Sequence, residues 1–234
     1  ALWEAMSELG HVTVVAPNRE QSAVGHAITL SDPLRVDEIN RSNGFKGFSV
    51  DGTPSDCVKI ATQALLEVEP NVIVSGINLG SNTGTNIIYS GTVSAATEGT
   101  MLKIPSVAVS LNSFESRDFA GAKKAAKTVV SHVLEKGLPE KTLLNVNVPA
   151  IPENELKGYK ITQQGNVAFR DSFEKRVDPK GRVYYWMTGQ MFDPDEEPNM
   201  DHNAVMDNFV SISPIHYRLT NHDFLDELKS WDLS

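Results

Sequence analysis

Apolar positions recur along this chain in two rhythms, and together they predict most of its elements. Leu2, Ala5, Met6 and Leu9 fall at i, i+3, i+4 and i+7, the stripe of a helix over 2–9, with Gly10 placed to end it. A strand over 11–16 follows and stops at Pro17. Extended stretches at 34–39 and 45–50 flank Asn43-Gly44, a strong hairpin signal. Ser55 is placed to cap a helix running from Asp56 to about Val68, with Cys57, Ala61, Leu65 and Val68 on its apolar side. Residues 71–75 and 106–111 carry unbroken apolar cores, as strands covered on both faces do. A short helix is expected over 92–102. A longer one over 120–136 turns Ala126, Val129, Val130, Val133 and Leu134 inward, and Gly137 lies past its end. A strand over 142–148 closes the run at Pro149. Strands alternating with helices through short connections predict an α/β fold, a three-layer sandwich around a mostly parallel, Rossmann-like sheet.

Beyond Pro149 the pattern changes. Residues 159–163 read as extended, and 169–177 and 182–188 flank the turn-forming quartet Asp178-Pro179-Lys180-Gly181, which predicts a long hairpin. Tyr184, Tyr185 and Trp186 crowd one of its arms. The stretch 192–202 is acidic, holds two prolines and reads as a surface loop. A strand over 210–215 and a helix over 221–231, with Phe224, Leu228 and Trp231 along one stripe, complete the chain. The expected organisation is a core over 1–150 carrying the active site, and a C-terminal extension over 151–234 whose hairpin is an arm for oligomer contact or a lid.

The opening helix feeds a buried strand, as the second half of a βαβ unit does, yet no strand stands before it. This predicts a first strand and its βα turn, on the order of 15 residues, ahead of Ala1. A fold that begins with a helix is the alternative. The distinction matters because that turn would lie at the carboxyl edge of the sheet, where open α/β folds bind ligands.

Charge narrows the partners. With 21 Lys and Arg against 30 Asp and Glu, the 234-residue chain carries a net charge of −9. That balance argues against binding duplex nucleic acid, which needs clustered cations. It leaves open a phosphorylated small molecule met by a metal or by backbone amides. A single cysteine, Cys57, excludes a disulfide framework and fits a reducing compartment. No apolar stretch is long enough to span a bilayer, and the first residues do not show the charged-then-apolar pattern expected of a signal segment. The expectation is a cytoplasmic protein.

The chemistry concentrates between Gly76 and Thr92. Of these 17 residues, 12 are Gly, Asn, Ser or Thr, and no charged side chain occurs between Glu69 and Glu98. Glycines there let backbone amides turn inward, and Tyr89-Ser90-Gly91-Thr92 opens into a helix whose N-terminus suits an anion. The stretch is neither a Walker A loop nor GxGxxG. A Gly/Asn-rich surface loop with an ordinary cap at Ser90 is the plain alternative. The loop 18–26 follows a strand onto the same sheet edge, so Ser22 and Asn78 both offer neutral oxygens to a hard cation. Two neutral ligands hold a divalent ion poorly; of the acids, Asp51 and Asp56 are the candidates, although Asp56 also suits its helix N-terminus. Arg19 and His26 are lesser candidates for contact with an anion. Cys57 reads as a core thiol.

The motifs at 14–22, 52–57, 75–82, 89–93 and 210–215 resemble the SurE (survival protein E) nucleotidase family, in order and over essentially the whole chain. The resemblance implies a metal-dependent phosphomonoesterase that releases phosphate from nucleoside 5′- and 3′-monophosphates with Mg²⁺ or Mn²⁺. It implies that Ser22 and Asn78 ligate the metal beside two adjacent aspartates after the first strand, an acidic pair absent from this chain, so that the chain as it stands is impaired. It places Asn82, Ser90, Gly91 and Thr92 around the phosphate. It also implies a homodimer or homotetramer exchanging the hairpin and tail. A non-catalytic nucleotide or phosphate binder on the same fold is the competing reading, and an assembly protein acting through its arm is a third.

Overall fold

Along strand β5 (Ser106–Asn112), Val107, Val109 and Leu111 turn to one face while Ser106, Ala108 and Ser110 turn to the other, all of them buried. This split organises the molecule, whose computed structural model describes residues 1–42, 44–192 and 197–233. On one face, helices α1 (Leu2–Ser7) and α5 (Ala120–Lys136) pack Met6, Ala126 and Val130 against Val107, Val109 and Val146. On the other, helix α4 (Gly91–Met101) sets Val93 and Ala96 against Ala108 and Leu143. Two helical layers therefore enclose the sheet, as expected.

The described strands form three sheets, two of them in the core. Strands β4 (Ile73–Leu79), β5 and β6 (Thr142–Pro149) run parallel. Strand β10 (Val210–His216) joins β6 antiparallel, and β7 (Tyr159–Ile161) extends that sheet beside β10. The second ladder pairs β1 (Val14–Pro17) parallel with β3 (Lys46–Val50), which takes β2 (Val36–Asn40) antiparallel. Between β1 and β4 runs a cleft of about 870 Å³, with Met6, Leu9, Cys57 and Val130 in its walls. Among the described residues β1 pairs only with β3, and β4 only with β5, so each turns its other edge to the cleft. Beyond the sheet, β8 (Ala168–Val177) and β9 (Val183–Phe192) form the expected hairpin, with the Asp178 carboxylate accepting from the Lys180 and Arg182 amides at its turn. Phe173, Trp186 and Met187 on it are exposed. No helix among the described residues is long and apolar enough to cross a membrane.

Several boundaries differ from expectation. Thr53, not Ser55, caps helix α2 (Pro54–Ile60), because Pro54 with its fixed φ occupies the first helical position and moves the cap two residues back. After Ile60 the chain widens into a π turn over Ala61–Leu65, which takes Val68 off the buried stripe and leaves it exposed. Leu134 on α5 is likewise 45% exposed. Strand β4 runs on to Leu79, so the polar loop starts at Gly80 rather than Gly76, and it holds a short helix, α3 (Asn86–Tyr89). The terminal helix α7 shortens to Leu225–Lys229, and Asp201–Met206 within the expected acidic loop and beyond forms helix α6. Asn43 of the hairpin signal and 193–196 of the acidic stretch lie outside the described residues, while the strands that Asn43-Gly44 separates do pair.

Cys57 is buried, and burial, helped by the charge of Asp56, pushes its thiol up to about 12, which makes it a core group rather than a nucleophile. Asp56 is equally committed. It accepts from Thr29 N, Thr29 Oγ1 and Thr53 N, while its own amide donates to Thr53 Oγ1 at 3.1 Å. Burial alone would raise this carboxyl, but these bonds outweigh it and hold it below the ordinary 3.8. A lowered folded-state value means stability that is present above the ordinary value and lost as pH falls through the lowered one. Asp56→Asn is therefore expected to cost about 2 kcal/mol at pH 7, with the deficit closing in acid as the wild-type carboxyl protonates. Urea unfolding across pH measures it, and a pH-independent deficit contradicts the assignment.

Candidate active site

Strand β4 carries one residue more than its neighbour. Ser75 lies opposite Ala108 and Asn78 opposite Ser110, so three steps on β4 match two on β5. Continued without the bulge, the register would have set Asn78 against Leu111, on the α1/α5 face. The extra residue turns it to the α4 face instead. There its Nδ2 donates to the carbonyls of Leu79 at 3.0 Å and Gly80 at 2.7 Å. These tethers fix the amide with Oδ1 facing Thr92, whose hydroxyl donates to it at 3.4 Å.

Thr92 stands in the first turn of α4. Ser90 caps that helix by accepting from Val93 N at 3.1 Å, leaving the amides of Gly91 and Thr92 outside the helix's own bonding. Gly91 lies close under the neighbouring loops: a Cβ there would come within 3.0 Å of Pro54 and 3.3 Å of Val24. Gly25 N donates to the Tyr89 carbonyl at 2.9 Å. The loop that carries Ser22 is thus seated on the α4 N-terminus. Ser22 itself is exposed and donates to the Glu20 carboxylate at 2.6 Å. His26 contacts buried Glu98 at 2.8 Å, and Lys59 reaches the same carboxylate at 2.7 Å, so His26 anchors the loop to α4. Arg19 is exposed, and Asp51 N donates to the Arg35 carbonyl.

Asn82 is held from below. Its amide nitrogen donates to Asn147 Oδ1 at 2.7 Å, and its carbonyl accepts from Asn145 Nδ2 at 2.8 Å and Asn147 Nδ2 at 3.1 Å. Its own Nδ2 donates to Ser110 Oγ at 2.7 Å. Ser110, Asn147 and Ser211 stand side by side across β5, β6 and β10, as do Ala108, Asn145 and Ser213. A polar patch thereby replaces the apolar sheet surface beneath the loop. Two buried oxygens around it, Thr83 Oγ1 and Asn145 Oδ1, have no partner among the described residues. The loop then leaves through Gly84, at φ 55°, where a Cβ would lie 2.4 Å from the Val167 carbonyl. Gly84 N donates to Asp201 at 2.9 Å. Asp201 is fully buried, and burial pushes its carboxyl up despite three amide donors.

Asn78, Ser90, Gly91 and Thr92 thus come together at one sheet edge, with the Ser22 loop above them and Asn82 on the adjoining patch. Sequence reasoning passed over Ser110, Asn145, Asn147 and Asp201. A signal existed for the two asparagines: a two-residue spacing inside the apolar run Leu143-Leu144-Asn145-Val146-Asn147-Val148 puts both on one face. Among the described residues no three of His, Cys, Asp and Glu gather as a metal site. Asn78 and Ser22 are neutral, and by themselves they do not fit a divalent cation, which needs carboxylate charge.

The family model for survival protein SurE matches residues 1–171. The chain is 46% identical over 232 residues to the 5′-nucleotidase SurE of Syntrophobacter fumaroxidans, a match covering 99% of this chain and 93% of that protein. It is 48% identical over 231 residues to the 5′-nucleotidase SurE of Pelotomaculum thermopropionicum, covering 98% and 88%. The crystal structure of the SurE protein from Aquifex aeolicus is similar at a TM-score of 0.84 and 41% identity, covering 97% of this chain and 91% of that one. This chain belongs to the SurE family.

Proposed function

We propose that the protein is a phosphomonoesterase hydrolysing nucleoside 5′- and 3′-monophosphates to nucleoside and inorganic phosphate. The observation that carries this is the likeness, end to end, to relatives bearing the name 5′-nucleotidase, at identities such as 46% over 99% of the chain. The geometry favours the same reading. Free amides at the head of α4, next to hydroxyls and amides with no anionic neighbour between Glu69 and Glu98, suit a phosphate dianion.

In this proposal the first-turn amides of α4 and Thr92 Oγ1 receive the phosphate oxygens, with Ser90 keeping the turn in shape through its cap. Asn82 presents the hydrogen of its amide that Ser110 leaves unused. Asn78 Oδ1 and Ser22 Oγ supply neutral oxygens to Mg²⁺ or Mn²⁺. The carboxylates these two lack are borne by an extended segment seated in the cleft between β1 and β4, whose carboxyl end would lie beside Asn78. The support for that segment is the cleft itself, with one strand edge on either side. We further place the protein in the cytoplasm, assign the core over 1–150 to the site, and assign the extension over 151–234 to a homodimer or homotetramer joined through the exposed aromatic hairpin.

The protein with Mn²⁺ is expected to release inorganic phosphate from AMP and GMP, and to stop when EDTA is added. Binding without turnover would instead favour a nucleotide-binding protein on this fold. Asn78→Ala should lower the metal-dependent rate on the order of 100-fold with the melting temperature little changed; an unaltered rate removes Asn78 from the metal. Deleting 169–188 should leave monomers in sedimentation velocity, and an unaltered oligomer excludes the hairpin as the contact.

A further inference from the structure

Asp201 starts helix α6 and lies far from the site in sequence, yet its side chain joins three segments. Oδ2 accepts from Gly84 N at 2.9 Å, while Oδ1 accepts from Gly165 N at 3.1 Å and His202 N at 2.8 Å. Its own amide donates to the Gln163 carbonyl at 2.9 Å. The residue is 0% exposed. A carboxylate is rarely placed fully out of water, because desolvation is costly; here three backbone amides, of Gly84, Gly165 and His202, meet it.

The three segments are not arbitrary. Gly84 closes the loop that holds Asn82. Gly165 lies at the root of the hairpin, just before β8, and His202 follows the return of the chain from β9. Around the same point Gln164 Nε2 donates to the Gly84 carbonyl at 2.9 Å, and Thr85 N and Oγ1 donate to the Val167 carbonyl at 2.9 and 3.1 Å. Gly84 is thus held on both its amide and its carbonyl by residues from the C-terminal third. Asn82 is held from β6 on one side, and the stretch after it from Asp201 and Gln164 on the other.

We infer that Asp201 is a positioning residue, fixing the loop over 82–85 against the root of the hairpin and so setting where Asn82 meets the substrate phosphate. The inference rests on the proposed phosphomonoesterase site. Asp201→Asn separates positioning from bulk stability: it keeps the size and the acceptor for Gly165 and His202, but turns an NH₂ group toward the Gly84 amide. Loss of that one charge-assisted bond should raise KM for AMP about tenfold, with kcat little changed and inorganic phosphate weakened in parallel as a competitive inhibitor. A residue that served only the fold would lower the melting temperature and the active fraction, cutting kcat at constant KM, and that result overturns the inference. Amide exchange followed by NMR judges it without turnover. Gly84 and Thr85 should exchange about tenfold faster in the variant while β5 and β6 keep their protection; unchanged Gly84 protection also overturns it. If wild-type protein hydrolyses nothing, the proposed activity fails and the exchange experiment alone decides the role of Asp201. Should Asp201→Asn fail to fold, Gln164→Ala removes only the bond to the Gly84 carbonyl, and an unmoved KM there counts against the inference.

Discussion

Backbone groups taken out of water must be paired, and the site loop of this protein satisfies that rule in an unusual way. Asn82 lies over the middle of a sheet, where no neighbouring strand can reach its amide and carbonyl. Asn145 and Asn147 do so from β6, standing in for a strand. Their side chains sit in a layer that would otherwise be valine and leucine, so each is placed at the cost of apolar packing. What that placement secures is a loop whose backbone is fixed before any ligand arrives, which is the condition for dipoles to stabilise charge without reorganising.

The neutrality of the loop follows from the same arrangement. A phosphate dianion approaching a chain with net charge −9 gains nothing from the long-range field. On the proposed reading, attraction comes at short range, from amides and hydroxyls aimed inward and from a cation held among them. A lysine in such a loop would serve the anion, but it would also repel a metal ion. A run free of charge between Glu69 and Glu98 suits the proposal that one cradle accepts both partners. Glu98, the acid that ends this run, is paired with Lys59 and contacts His26.

Layers and element order were legible because hydrophobic periodicity reports burial directly. Helix α5 was readable to the residue, since a long amphipathic stripe with a C-terminal glycine has few alternatives. The cap of α2 was not, because Thr53 and Ser55 are both good caps and only the position of Pro54 decides between them. The end of β4 was harder still. Gly76 and Asn78 look like the start of a loop, and only the pairing with β5 on either side of the bulge, Ser75 with Ala108 and Asn78 with Ser110, carries the strand through them. The site residues Asn78, Ser90, Gly91 and Thr92 could be picked out by type and by their place after a core strand. Asp201 could not: nothing local distinguishes it from the acids around it, and its partners lie 36 and 117 residues away.

In the proposed function, the cleft between β1 and β4 would tie the metal to the fold. Both walls are apolar in large part, and both present strand edges, so a segment seated there gains ladder bonds and buried surface together. On the proposed reading, the carboxylates that complete the donor set ride on that same segment. Metal binding and strand docking are then linked equilibria: the cation binds the docked state alone, and docking is strengthened by whatever the cation contributes. At a metal concentration 100 times its dissociation constant, that contribution is about 2.7 kcal/mol, comparable to several ladder hydrogen bonds. Metal affinity and the integrity of the α/β core are in that case one quantity measured from two sides, and Asn78, turned into the site by a bulge in the strand that forms one wall of the cleft, is where the two meet.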